Sequence, residues 1–404
     1  MSEENACFIL KQYLGFHDTY RKIYGKKSLV LMMVGQFYEI YGIITDTLAI
    51  GPELYELSDL LNIQVSRRNK KIKEISYDNF LMAGFPEHAL LKFQNILLSH
   101  DYTVIIVNQV TPKPNPERKV VEIVSPGTTI EDYNQSDSNY LVSIFITSYP
   151  TVENVPIVSV GLSAIDISTG KNFVHSVQSS VSDPKIWKDE VFRLIHNYGP
   201  KEVLIHCEES PNVLEEWCHF WNLKRENVYW NFCESKEFLK PSFQNAYYRK
   251  IYTDCGSLTP IEYLGFERCP EITMSHIYMI EFIYQHKIEN IREIQCPTIE
   301  NSQTHLILSH NCMYQLYLIG QKEHASETYD SLLSLLNRCK TAIGRRLCRE
   351  RLLYPILDTD TLNQRYATVA EFQKASLYEA CMPHLQKITN LKMLNFFIKK
   401  VMDI

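Results

Sequence analysis

The sequence lacks the features that mark several large protein classes. Its 11 cysteines are odd in number, run from Cys7 to Cys381 and contain no C-x-x-C pair. That spacing argues against zinc ribbons and thioredoxin-like centres, so the thiols are expected to be reduced and mostly buried. Apolar runs such as Leu29–Val34 and Val104–Val107 fall far short of the roughly 20 residues a membrane helix needs. The acidic opening Met1-Ser2-Glu3-Glu4 has neither the apolar core of a secretion signal nor the Arg-rich character of a transit peptide. An intracellular, non-secreted protein without a membrane partner is therefore expected, its compartment unspecified. The G-x-x-x-x-G-K-[ST] phosphate loop is missing. Its nearest approach, Thr169-Gly170-Lys171, has Ile165 where the first glycine should stand and Asn172 after the lysine. H-E-x-x-H and G-x-S-x-G do not occur, and the 13 histidines show no metal-ligand spacing. No metal site is expected, and lone histidines such as His88 are read as structural.

What is present suits a soluble protein of several domains. The chain has 404 residues, 45% hydrophobic and 22% charged, enough for two to four domains of ordinary size, about 100–200 residues each. A net charge of −6 leaves nucleic acid open as a partner, because a small basic face can sit on an acidic body. Three textures follow one another. Up to about residue 130, buried-strand patterns at Leu29–Val34, Tyr102–Val107 and Lys119–Ser125 flank a helical pattern over Glu87–Ser99, in which Leu90, Leu91, Phe93, Leu97 and Leu98 recur at helical spacing. Thr111–Pro116 is proline-rich and predicts a loop. The polar stretch Glu131–Asn139 predicts a linker. Strands are then predicted over Tyr140–Ser148, Ile157–Ile167 and Lys171–Val177, a helix over Asp189–Tyr198 and a strand over Glu202–His206, an α/β domain around a mixed sheet. A helical segment Ser275–His286 leads out of it. From about residue 297 the pattern is helical, at Tyr329–Leu336, Ile343–Leu353 and Thr361–Ser376, with Thr359 and Asp360 as caps for the last.

Three clusters carry candidate chemistry. In Met33-Val-Gly-Gln-Phe-Tyr-Glu-Ile-Tyr41 an apolar strand meets Gly35 and then an aromatic and an acid. Side chains alternate in an extended chain, so Phe37 and Glu39 share a face and Tyr38 takes the other. Phe37 is a candidate wedge between base steps and Glu39 a candidate partner for an exposed base edge; a core Phe beside a surface Glu would read the same way. Arg67-Arg68-Asn-Lys70-Lys71-Ile-Lys73 has five cations in seven residues, suited to phosphate or simply to a solvated loop. In Lys340–Arg351, Arg345 and Arg349 are i,i+4 neighbours and Leu347, Leu352 and Leu353 mark the buried side. This reads as a phosphate-facing, inter-domain or solvated helix. Asp166, mid-strand, is where an RNase H-like nuclease would place a metal ligand, with Glu202, Glu208 and Glu209 as candidate companions.

Five segments in order resemble the MutS family. Gly35-Gln-Phe-Tyr-Glu39 is similar to its G-x-F-Y-E motif, Leu81–Ala89 to its M-A-G-x-P-x-H-A segment, and Pro116–Thr128 to the ending of its first domain. Val160–Gly170 resembles the D-x-S-T-G strand of its connector. Ser331–Asn337, Thr341–Arg345 and Leu353–Asp358 resemble the start of its helical core. Gln36 stands where the family often has an acid, and Glu87 replaces an aromatic. The Asn-, Ile-, Lys- and Tyr-rich composition and the G-Q-F-Y-E-I-Y wording resemble the branch found in large DNA viruses and some mitochondria.

The resemblance implies a mixed α/β mismatch-recognition domain over 1–132, an RNase H-like α/β connector over 133–296 and the beginning of an all-helical core over 297–404. It implies that Phe37 stacks on a mispaired base, that Glu39 hydrogen-bonds it, that Gly35 and Tyr38 complete the motif, and that Arg67, Arg68 and Lys70 lie near the DNA backbone. The partner implied is double-stranded DNA with a mismatch or small loop. The family's clamp, returning core and ATPase segments are not in this sequence. The chain is therefore expected not to be an enzyme and to bind no cofactor itself. ATP and Mg²⁺ would belong to an ATPase-containing partner or to the rest of a split or longer protein. The alternative is a repair-complex docking protein with no mismatch discrimination of its own.

Overall fold

Runs of aliphatic and β-branched residues build two sheets, one in each of two compact units. The computed structural model describes residues 3–45, 47–111, 116–129, 139–151, 156–167, 170–232, 235–286, 294–300, 304–306, 308–320, 330–339, 341–374, 379–381 and 383–384. The first unit comprises Met1–Asp132, Lys224–Cys233 and Ile280–Glu293; the second comprises Tyr133–Leu223, Glu234–Met279 and Ile294–Ile404. Most of the predicted linker, and residues 112–115 of the proline-rich loop, lie outside the described residues.

The first unit contains α1 (Glu3–Tyr24), β1 (Ser28–Val34), β2 (Phe37–Ile44), β3 (Ala49–Ile50), α2 (Leu54–Leu61), β4 (Ser66–Arg67), β5 (Leu81–Pro86), α3 (Leu90–Ser99), β6 (Thr103–Gln109) and β7 (Arg118–Val124). Its strands lie in the order β4-β5-β2-β1-β6-β7, with β3 beside β2. β1 and β6 run parallel, Ser28 facing Thr103, and the other pairs are antiparallel. A parallel pair needs a crossover, and the chain between β1 and β6 contains α2 and α3. The two central strands are apolar on both faces: Leu29–Met32 and Val104–Val107 are all buried, as expected of strands covered on both sides. Sequence reasoning missed α1, although Ile9, Leu10, Tyr13 and His17 form a buried stripe along it. The predicted helix over Glu87–Ser99 opens as one 3₁₀ turn, Glu87–Ala89, before α3. Leu91 points outward there, while Phe93, Leu97 and Leu98 are buried.

Two later segments complete this unit. The Tyr229 and Thr103 hydroxyls are 3.2 Å apart, and Lys224 pairs with Asp101 at 3.2 Å. Tyr24 meets the rings of Tyr229, Phe232 and His286 at 5.9, 5.8 and 5.4 Å.

The second unit opens with β8 (Tyr140–Tyr149), β9 (Ile157–Asp166), β10 (Lys171–Gln178), α4 (Ile186–Tyr198) and β11 (Glu202–His206). Strands β11-β8-β9-β10 are neighbours in that order, followed by the short strand Thr298–Ile299. β8, β9 and β10 are antiparallel and β11 is parallel to β8. Three antiparallel strands, a helix, then a strand parallel to the first is the RNase H-like arrangement expected of this region. Helices α5 (Pro211–Phe220), α6 (Pro241–Tyr248), α7 (Pro260–Leu264) and α8 (Pro270–His286) follow, with α8 starting five residues before the predicted Ser275. Its residues from Ile280 onward belong to the first unit.

The closing helices are α9 (His310–Gln315), α10 (Leu332–Leu336), α11 (Ala342–Leu353) and α12 (Thr359–Lys374). Two expectations change here. Asp358 caps α12, its Oδ2 accepting from Thr361 N at 3.0 Å, whereas Thr359 and Asp360 sit inside the first turn. An N-cap must lie before the first helical residue to reach N–H groups two or three positions on, which decides for Asp358. On α11, Leu353 is fully buried but Leu347 is 41% exposed. The inner face of α11 is instead partly polar: Arg346 pairs with Asp166 at 3.2 Å, and Arg349 lies over Gly199, where a Cβ would stand 2.6 Å from its Nη1. Among the described residues, no helix is long and apolar enough to cross a membrane.

Candidate nucleic-acid interface

The site starts at the tight turn between β1 and β2. Val34 pairs with Phe37, leaving Gly35 and Gln36 as a two-residue loop. Gly35 takes φ +68°, at the first central position, where two-residue hairpins matching the strand twist favour glycine. The Gln36 carbonyl accepts from Glu87 N at 2.9 Å, tying the turn to the end of β5. Phe37, the first residue of β2, is 47% exposed. Tyr38 turns to the other face, is buried, and donates to Asn108 Oδ1 at 2.8 Å. Burial first, then Glu87, raises the Tyr38 hydroxyl above its ordinary pKa.

Glu39 shares Phe37's face by strand alternation and is half-buried. It accepts a hydrogen bond from the Tyr41 hydroxyl two residues on. Burial raises the pKa of its carboxyl, while the Tyr41 hydroxyl and the charge of Arg118 work in the opposite direction. Gly84 faces Glu39 across the β2–β5 ladder. A Cβ there would stand 2.7 Å from the Tyr38 carbonyl oxygen and 3.2 Å from Glu39 Cγ. The glycine of the Leu81–Ala89 segment thus lets β5 approach the acid.

Sequence reasoning missed Arg118. It begins β7, is buried, and donates from Nε to the Met33 carbonyl and from Nη1 to Gln12 Oε1, both at 3.2 Å. Its one signal was a place beside Lys119 at the start of a strand that also carries Glu122, and nothing local tied it to β2.

The basic cluster springs from the edge of the same sheet. Arg67 pairs with Leu81, whereas Phe37 pairs with Pro86, five residues further along β5. At about 3.4 Å per residue these rows are about 17 Å apart. The fold therefore brings Gly35, Phe37 and Glu39 together and sets Arg67, Arg68 and Lys70 at the far end of the strand. Arg67 Nη1 donates to the Lys73 carbonyl at 2.9 Å and Arg68 Nη1 to the Asp78 carbonyl at 3.2 Å. Lys70, Lys71 and Lys73 are exposed. Buried Asn79 holds this loop closed: it accepts from Asn69 N at 2.8 Å and donates to the Ile72 and Glu74 carbonyls at 3.1 and 2.7 Å. Tyr38, next to Phe37 in the chain, feels the charges of Glu87 and Glu122.

Asp166 and its candidate companions do not form a metal centre. Asp166 is buried and paired with Arg346, Glu202 is buried, and Glu208 and Glu209 are exposed. Among the described residues no group of three His, Cys, Asp or Glu side chains is placed to hold a metal ion.

Two family models match the chain, MutS domain I over residues 9–133 and MutS domain III over residues 311–399. A protein of Acanthamoeba polyphaga mimivirus, described as a mutS homolog of DNA mismatch repair, is 30% identical over 98% of this chain and 37% of its own length. The DNA mismatch repair protein MutS of Borrelia garinii subsp. bavariensis is 27% identical over 92% of this chain and 38% of its own length. That of Treponema denticola is 26% identical over 88% and 37%. The chain thus spans a little over a third of the length of these relatives. Sheet, hairpin and matched segments together define a class, the N-terminal part of a MutS-type protein with a mixed α/β first domain and helices toward its end. The chain belongs to the MutS family.

Proposed function

We propose that the first unit reads mispaired or looped double-stranded DNA in mismatch repair, with Phe37 as the wedge and Glu39 as the hydrogen-bonding partner of the displaced base. One observation carries this reading: a large aromatic ring stands 47% exposed at the end of a tight hairpin, beside a half-buried carboxyl on the same face. Unstacking a duplex step costs a few kcal/mol, least where the pair is already faulty. Stacking a base on an aromatic ring returns about 1–3 kcal/mol. The difference between faulty and sound pairs is then read as deformability. Gly35 supplies the turn and Tyr38 anchors the strand from behind.

The basic loop from Arg67 to Lys73 is assigned to phosphate. Its row lies about 17 Å along the sheet from the Phe37 row, about five base steps of duplex, with Arg67 itself alternating to the face opposite Phe37. Binding by this chain is expected to be weak and salt-sensitive. No nucleotide or metal role is assigned to its residues. ATP and Mg²⁺ belong, in this reading, to an ATPase-containing MutS-like partner or to further parts of the same protein.

The acids near the hairpin, Glu87 and Glu122, favour a second reading, in which the chain docks other repair proteins and does not discriminate mismatches. A titration at fixed salt, comparing a G·T-mismatched duplex with its matched twin, separates the two. Wild type is expected to prefer the mismatch. Phe37→Ala is expected to keep matched-duplex affinity while its mismatch affinity falls roughly 5- to 150-fold, the range of one lost stacking contact. Equal binding of both duplexes by wild type would leave the docking reading standing.

A further inference from the structure

Glu39 has two carboxylate oxygens, and the protein engages one of them. The Tyr41 hydroxyl donates to Oε2. Among the described residues no group bonds Oε1, and Oε1 is not sealed away from solvent. Tyr41 is itself held fast. It is buried, with its ring edge-on to Tyr13 at 5.3 Å and to Phe80 at 5.2 Å. Tyr13 is pinned in turn, donating to the Val30 carbonyl at 3.2 Å. Arg118 adds a fixed positive charge whose field reaches both Glu39 and Tyr41, and its guanidinium is tied to Met33 and Gln12. The charged and titratable groups that face Glu39 are thus Tyr41 from its own strand and Arg118 from β7, with Tyr13 of α1 behind Tyr41.

We propose that Tyr41, backed by Arg118, is the positioning residue that fixes Oε2 of Glu39 so that Oε1 is offered to an N–H on the edge of the mispaired base, and that this arrangement sets how strongly the chain prefers a mismatch. The inference rests on the function proposed above. A carboxyl free to rotate would meet the base in only part of its orientations, and ordering it on contact would reduce the gain. With one oxygen held by a rigid phenol, the other arrives oriented. The Tyr41 hydrogen bond also favours the ionised form of Glu39, the form that accepts from a base N–H.

The test uses the full chain in four forms, wild type, Tyr41→Phe, Glu39→Gln and Phe37→Ala. Each is titrated with matched and G·T-mismatched duplex at fixed salt from pH 5.5 to 8.5. The expected result for Tyr41→Phe is unchanged matched-duplex affinity, a mismatch preference reduced about tenfold, the loss of one hydrogen bond to a charged group, and a pH midpoint of the remaining preference moved upward. A second measurement needs no DNA. The side-chain carboxyl of Glu39, followed by carbon-13 NMR in folded protein, is expected to titrate at higher pH in Tyr41→Phe than in wild type. Preference lost in Phe37→Ala and Glu39→Gln but kept in Tyr41→Phe, with an unmoved Glu39 titration, would overturn this inference and leave the wedge reading intact. Wild type without any mismatch preference would overturn both.

Discussion

At the scale of single residues, the strand ladder constrains the candidate site as tightly as chemistry does. Gly84 faces Glu39 where a Cβ would come 2.7 Å from a backbone carbonyl, an atom that cannot step aside without moving β2. Gly84→Ala is expected to destabilise the first unit by about 1–3 kcal/mol, the usual cost of overpacking, read as a lower urea midpoint with an unchanged slope. Much of this neighbourhood was legible in the sequence. The order Gly35-Gln-Phe-Tyr-Glu39 named the residues, and strand alternation put Phe37 and Glu39 on one face. The same alternation places Tyr41 beside Glu39, a step that sequence reasoning left untaken. Arg118 was out of reach. It comes near Glu39 only because β7, β6, β1 and β2 lie side by side in that order, and no local pattern encodes a neighbour so distant along the chain.

At the scale of elements, the basic loop shows what a charge run conceals. The sequence gives five cations between Arg67 and Lys73 and invites a picture of a loose solvated loop. The structure adds Asn79, whose amide makes three hydrogen bonds to the backbone of Asn69, Ile72 and Glu74. Those partners lie five to ten residues back along the chain, so the role could not be read from spacing. Asn79→Ala is expected to leave these groups unpaired and to loosen the loop by about 1–2 kcal/mol. Amide exchange over residues 69–79 would speed up and matched-duplex affinity would fall, with melting of the rest unaffected. Protected amides in the variant would show that the loop is held by other contacts. The helix α1 escaped notice for a different reason. Its buried stripe of Ile9, Leu10, Tyr13 and His17 includes a tyrosine and a histidine, which carry weaker apolar signals than leucine or valine.

For the whole molecule, buried ionisable groups set a pH range for stability. Burial pushes His196 down to about 4, His276 to about 3 and His286 to about 4. These rings fold neutral, so above pH 6.5 they make no difference, and below it the unfolded chain takes up protons that the folded chain refuses. Stability is expected to fall as pH drops from 6.5 toward 4, by up to about 1.4 kcal/mol per pH unit for each such ring. Glu190 extends the range. Burial opposes its charge, but His175 and Arg193 overcome that and bring it to about 2. Its contribution is present above the ordinary carboxylate pKa and is lost as pH falls from there toward 2. Urea midpoints measured from pH 7.5 to 3.5 check the sign; a flat profile from 6.5 to 5 would mean that these histidines are not buried neutral. The boundaries between parts were harder to read than the elements themselves. Helices and strands announce themselves locally, whereas Lys224–Cys233 and Ile280–Glu293 join the first unit through rings such as Tyr229, Phe282 and His286 that look like any other core residues. The first 132 residues are consequently not a cassette. Excised at that point, they would leave Tyr24 without Tyr229, Phe232 and His286 and present a sticky aromatic scar. Recombination, whether in a genome or at the bench, can exchange this unit cleanly only by carrying all three pieces of chain together.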